Sequence, residues 1–386
     1  MLHRKPHHVV RISLLIAVSA ALGAQRAEVP SSVPSLTGVC DDTSALHGAA
    51  QAQVRPYLFA WALFLYLNCP ANSGTDAPLR WETWKPVQDV YLPQGQTPAP
   101  WGTPFGPRVL LDREEIDGYS LLDIKGLPVL EEIRMNMGVF EYILARNLYS
   151  KAGQLAFFTG SQPPIEFPDD AIEIKAAWLI LDPLDPQAKT YYTVHASYVD
   201  LETGQSHAVL AGLAGFHIAS KVLPNWFWTT FEHTGNQQMT TAPDRIPDPP
   251  GVRIFNNAVH AALPQDSIWR YYNMRGVQTE FTAANQKPTL LANTLLETRF
   301  QKSSSCITCH DLSTRGSDTE GRLGLWNRNY QGHVGEVGAA SNHYKGILGN
   351  RVCYDAGLHA FTDCSAPNAK IVFKTMDFVW SLREAQ

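Results

Sequence analysis

A chain of 386 residues with 45% hydrophobic composition can bury a substantial core, as one large domain or two modest ones, which excludes a disordered polypeptide. The formal net charge is -5 and no lysine- and arginine-rich run interrupts it, so nucleic acid is not an expected partner.

The first residues carry a tripartite pattern: basic Arg4, Lys5 and Arg11, the apolar run ISLLIAVSAALGA, and small residues suited to cleavage around Gly23 or Ala24. This predicts a cleaved signal peptide over 1–24 and a periplasmic or secreted protein. The apolar run is well short of the roughly 20 residues of a membrane-spanning helix, so no stable membrane insertion is expected.

Residues 25–285 read as a helix-plus-sheet domain. RPYLFAWALFLYLNC is apolar on nearly every side and long enough for a buried helix. WETWKPVQDVYLPQGQTPAPWG, rich in Trp, Pro and Gly, reads as irregular, and Phe140 to Ala156 has helical spacing through Tyr142, Leu144, Leu148 and Leu155. From about Glu166 the period becomes two. In AIEIKAAWLIL, Ile172, Ile174, Ala176, Trp178 and Ile180 share a face while Glu173 and Lys175 begin the other. TYYTVHASYV, HAVLAGLAGFHIASKV and NWFWTTFEH continue in the same style between the turn signals DPLDPQ and ETGQ. These segments predict an antiparallel β-sandwich or partial barrel, ended by APDRIPDPPG.

Residues 286–386 form the third region. Pro288 suits a first helical turn, and Leu291, Leu295, Leu296 and Phe300 form an apolar stripe that predicts a helix running into SSSCITCHDLS. Gly316 to Asn350 is glycine-rich and polar, as in a long loop, and KTMDFVWSLREA reads as a short closing helix. The expected class is therefore α+β: N-terminal helices, a central antiparallel sheet and a helical C-terminal segment.

Six cysteines fall into three close pairs. In an oxidising compartment Cys40 with Cys69 and Cys353 with Cys364 are candidate disulfides, each closing a local loop. The middle pair, Cys306 and Cys309, stands two residues apart with His310 directly after it. Two thiols at this spacing can add to the two vinyl groups of haem, with the histidine placed to ligate the iron. Zinc would need two further ligands, which Cys353 and Cys364 could supply. A thioredoxin-like pair would be expected beside a βαβ pattern, which is absent, and a tight disulfide is the plain alternative. Export, the predicted helix and the histidine in register favour one covalently bound haem c, which makes the last region cytochrome c-like. Met376 and His343 are candidate distal ligands, with His333 and His359 in the same region, and an open iron is the further option. Met376 also suits gap-filling in a core.

Glu232 and His233 in NWFWTTFEH invite an acid/base reading. On a strand, Trp226, Trp228, Thr230 and Glu232 face one side and Phe227, Thr229, Phe231 and His233 the other, so they cannot form one pair. Core hydrogen bonding is the expected role of His233, as of His217 and His195, against a role in moving protons at the haem edge for His233, Glu232 or His217.

WETWKPV, EIKAAW, FHIASKVLPNWFWTTFEH and LLANTLLETRFQKSSSCITCH together resemble, from about Trp81 to the C-terminus, a group of exported bacterial mono-haem c-type cytochrome family proteins with these segments in this order. The resemblance implies haem on Cys306, Cys309 and His310 and names no substrate. It also implies that sheet and haem segment belong to one recurring architecture. Two functions follow as expectations. The first is periplasmic electron transfer with a redox protein partner. The alternative is a haem-dependent oxidoreductase acting on a small oxidant or organic substrate at an open iron covered by the β domain.

Overall fold

A computed structural model describes residues 38–41, 43–74, 77–112, 121–240, 246–283, 285, 287–316, 347–348 and 351–386. The signal-peptide segment, His333 and His343, and nearly all of the expected loop over 316–350 lie outside them.

The helices are α1 (Ser44–His47), α2 (Ala49–Val54), α3 (Pro56–Leu67), α4 (Met137–Ala145), α5 (Lys151–Thr159), α6 (Pro250–Ala262) and α7 (Cys306–Asp311). The strands of the larger sheet are β1 (Lys85–Pro86), β2 (Val109–Leu110), β3 (Leu130–Met135), β4 (Ile172–Leu181), β5 (Thr193–Val199), β6 (Ser206–Ser220), β7 (Phe227–His233) and β8 (Tyr272–Gln278). A second, smaller sheet holds β9 (Thr314–Gly316), β10 (Ile347–Leu348), β11 (Arg351–Asp355), β12 (Ala360–Phe361) and β13 (Lys370–Thr375).

The long strand β6 organises the larger sheet. One edge pairs with β4; the other pairs first with β5 and then, past Leu213 and Ala214, with β7, which carries β8. All of these pairings are antiparallel; β2 adds to β5 in parallel. Beyond β2, Leu111 bridges back to Glu131 of β3, so the sheet curls into a partial barrel. The period-two reading of the central segments thus describes the real strands, including the Ile172, Ile174, Ala176, Trp178 and Ile180 face, which packs into one apolar cluster.

That cluster forms because α3 has no polar face to give to water. Phe59, Ala60, Trp61, Leu63, Phe64, Leu65 and Leu67 are all buried, and burying a side chain of this size is worth about 1.5–3 kcal/mol. Phe64 stacks on Phe231 of β7 at 4.0 Å, and Trp61 donates from Nε1 to Asn256 Oδ1 of α6 at 3.0 Å. The helices α3 and α6 therefore cover the face of β7 that carries Phe227 and Phe231, leaving the Trp228, Thr230 and Glu232 face for the C-terminal region.

Three helical expectations are corrected. The stretch from Phe140 to Ala156 is two helices, broken where Asn147 turns left-handed (φ 55) and Ser150 caps α5 by accepting from Gly153 N. The stripe from Pro288 to Phe300 forms turns, because its polar side chains bond elsewhere. Leu295 N–H goes to Asn293 Oδ1, while Asn293 Nδ2 reaches Phe231 O and Thr230 Oγ1 on β7. The close approach needs Gly215, where an added Cβ would lie 2.9 Å from Asn293 Nδ2. KTMDFVWSLREA is the end of β13 followed by a 3₁₀ turn over Trp380–Glu384, with Asp377 (φ 49) and Phe378 (φ 67) breaking any helix between them. The C-terminal region is thus a small sheet with the short helix α7, in place of the expected helical segment.

Both outer cysteine pairs, Cys40–Cys69 and Cys353–Cys364, are disulfide-bonded, with Cα atoms 5.7 and 5.2 Å apart. Among the described residues no helix is long and apolar enough to cross a membrane.

Candidate functional site

Helix α7 is only six residues, too short to stand alone in water, so its surroundings must hold it. Ser305 caps it, accepting from Thr308 N. Gln278, the last residue of β8, is buried behind the cap: its Oε1 accepts from Ile307 N at 3.1 Å and its Nε2 donates to Ser305 Oγ at 2.8 Å. At the other end Trp380 Nε1 donates to Cys309 O at 2.9 Å. The chain then leaves through β9, which pairs with β13, and the segment after β13 folds back over the helix through Met376 N to Ser313 O and Ser313 Oγ to Val379 O.

Cys306 and Cys309 are not joined to each other or to any other cysteine. Both keep some exposure, yet burial dominates their acidity: it drives the Cys306 thiol well up and Cys309 to about 11. A thiol serving disulfide exchange needs the opposite shift. The zinc reading also loses its donors, since Cys353 and Cys364 are bonded to one another. Among the described residues no three His, Cys, Asp or Glu side chains are grouped to hold a bare metal ion.

His310 has a defined orientation. Its Nδ1 lies 2.8 Å from the Phe378 carbonyl, which can only accept, so Nδ1 carries the proton and Nε2 presents its lone pair. Burial lowers its pKa to about 4, so the ring is neutral at pH 7. Trp228 of β7 packs on it with ring centroids 4.4 Å apart.

Trp228 belongs to a row that crosses the sheet, Met135–Glu173–Ala219–Trp228–Gln278, and the next row is Ile133–Lys175–His217–Thr230. The sheet face turned to α7 thus carries ionisable groups. His217 Nε2 lies 3.1 Å from Glu297 Oε1, Lys175 is ion-paired with Glu131, and Ser381 Oγ donates to Glu173 Oε1. His217, Lys175 and Glu297 are near enough to act electrostatically on His310, and burial raises the Glu173 pKa to about 7.

The remaining candidates separate. Glu232 is buried and engaged: it accepts from Thr294 N and Oγ1 at 2.8 and 3.0 Å and lies 3.3 Å from Arg275 Nε, holding the turn before α7. His233, on the other face of β7, stacks on Tyr191 at 3.6 Å, donates from Nε2 to Thr190 O and accepts at Nδ1 from Gly235 N. His195 is exposed on β5, against the expected buried role. Met376 is buried in the apolar cluster that contains Ile307 and Trp228, and His359 sits in a left-handed turn (φ 49) between β11 and β12.

Gln278, Trp380, Phe378 and Asp377 were not among the expected site residues. For Gln278 a signal existed, a polar side chain inside the strand-like YYNMRGVQ; for a backbone carbonyl such as that of Phe378 there is none. Comparison with protein-family models, with curated proteins and with solved structures finds no match to this chain.

Proposed function

We propose that this chain is an exported mono-haem c-type protein that transfers electrons to or from a redox protein partner. Cys306 and Cys309 would carry haem c as thioethers, and His310 Nε2 would ligate its iron. The observation that carries this reading is the neutral His310, held by its Nδ1–H on the Phe378 carbonyl with Nε2 left to donate, on the same short helix as two thiols bonded to no other cysteine. A hydrogen-bond acceptor on the non-ligating nitrogen is what a metal-bound imidazole ordinarily has, because it fixes the tautomer and raises basicity. The group's own chemistry is a one-electron Fe(III)/Fe(II) change. The residues of the chain hold the imidazole, desolvate the thiols and place Trp228 against the ring.

The test is a haem stain that survives denaturing electrophoresis. It is expected in the wild type and lost in the double variant Cys306→Ala, Cys309→Ala; a signal that persists in the variant sinks covalent attachment through these residues.

A second reading, a haem-dependent oxidoreductase acting on a small oxidant or organic substrate, is favoured by the His217–Glu297 pair and Lys175 on the face turned to α7. There His217 could pass a proton to or from Glu297. The ferric spectrum with and without cyanide separates the two: indifference fits a carrier, and ready binding fits an open iron.

A further inference from the structure

Phe378 supplies the carbonyl that orients His310, and it does so from an unfavourable backbone. Asp377 and Phe378 are consecutive non-glycine residues in the left-handed region, at φ 49 and 67. Asparagine and aspartate visit that region with some ease, but a bulky aromatic residue there is an outlier that persists only where surrounding structure imposes it.

The imposing structure is an anchor on the Asp377 carboxylate. Lys221, which follows β6, reaches Asp377 Oδ1 with Nζ at 2.7 Å and the Pro224 carbonyl at 3.1 Å, while its own N–H donates to Ala171 O. The second oxygen, Oδ2, accepts from Phe167 N at 2.7 Å, and Trp226 Nε1 lies 3.4 Å from Oδ1. The side chains of Lys221 and Asp377 are only 5% and 8% exposed. Three stretches of chain, at Phe167, at Lys221 to Trp226 and at Asp377, thus meet on one carboxylate. Trp226 is itself left-handed (φ 60) and leads directly into Trp228, which packs on His310.

We propose that the Lys221–Asp377 ion pair is the positioning device of the haem site: it holds the left-handed turn that keeps the Phe378 carbonyl on His310 Nδ1. The pair thereby sets how basic the ligating Nε2 is, and so tunes the reduction potential. This rests on the haem reading given above. Asp377 and Lys221 are positioning residues, acting through Phe378 and His310 with no contact of their own to the iron. The direction follows from the chemistry: a firm Nδ1–H···O=C bond makes the imidazole a stronger donor and favours Fe(III), so loosening the turn must favour Fe(II).

The experiment is equilibrium redox titration of the purified exported protein, haem-positive by the stain on a parallel denaturing gel, alongside its thermal unfolding. Asp377→Asn and Lys221→Gln are each expected to retain the stain and to raise the midpoint potential, with a change of about tenfold in the redox equilibrium constant, or about 59 mV for one electron. Lys221→Arg keeps the charge and is expected to leave the potential where it was. If Asp377→Asn does not accumulate, Lys221→Gln against Lys221→Arg decides. A lowered unfolding temperature with an unchanged potential in both charge-removing variants overturns the proposal and makes the pair a stabilising contact only. A wild type without stain overturns the haem reading itself, and this proposal with it.

Discussion

His233, which is buried, and His310, which is half-buried, are both neutral histidines, but they are satisfied differently. His233 uses both ring nitrogens, donating at Nε2 to Thr190 O and accepting at Nδ1 from Gly235 N, so nothing is left for chemistry. His310 uses only Nδ1 within the described residues. Which nitrogen is spoken for, rather than burial, separates the structural imidazole from the candidate ligand. The His233 arrangement also has a pH consequence. Burial lowers its pKa to about 4 from a usual value of 6.5, so below pH 6.5 the unfolded chain takes up a proton that the folded chain refuses. Stability is full above about pH 6.5 and is lost as pH falls toward 4, by on the order of 3 kcal/mol from this one group. In His233→Gln, which keeps an N–H donor and an oxygen acceptor, denaturant midpoints measured from pH 7 to 4 should fall less steeply than in the wild type. An unchanged slope would assign the acid sensitivity elsewhere.

At the scale of elements, α7 is an instance of secondary structure made by its neighbours. Its six residues are held by the Ser305 cap, Gln278 at one end and Trp380 at the other. Gln278→Leu fits the space but strands the Ile307 N–H and removes a partner of Ser305 Oγ. We expect it to cost about 1–3 kcal/mol and, on the haem reading proposed above, to lower the haem-loaded fraction, read as the ratio of Soret to protein absorbance. His195→Gln, on the exposed edge of β5, is expected to change neither. The spacing of Cys306, Cys309 and His310 was legible because it is local. The helix expected before it was not real, because Asn293, Thr294 and Glu297 bond to the sheet and to one another, which no periodicity of Leu291 and Leu295 could reveal. The strands were legible for the opposite reason: the alternation that opens AIEIKAAWLIL marks its buried face, and the β-branched and aromatic residues of NWFWTTFEH mark a strand, although both of its faces are buried.

At the scale of the whole molecule, one apolar cluster draws Met135, Phe140 and Trp228 from the first part of the chain together with Ile307, Met376, Val379 and Leu382 from the last. The curled sheet is therefore the floor of the candidate site as well as its neighbour. Met376 stands at this junction. By its packing, Met376→Ala should lower stability by about 2–4 kcal/mol through the cavity it leaves and, on the haem reading proposed above, leave the visible spectrum unchanged. A changed spectrum with an unaltered unfolding midpoint would place the thioether on the iron instead. The sequence by itself determined what depends on neighbours along the chain: the period-two strand segments, the buried α3 and the CxxCH spacing, since each needs only local pattern, and it offered the two outer cysteine pairs as candidates that the structure then bonded. Only the tertiary structure decided what depends on groups far apart in the chain. It brought Gln278 to the cap of α7, the Phe378 carbonyl to His310 and Lys221 to Asp377. Hydrogen-bond partners 27, 68 and 156 residues apart leave no periodic trace in the sequence, because each is chosen by where the folded sheet and the returning C-terminal strand bring their atoms together.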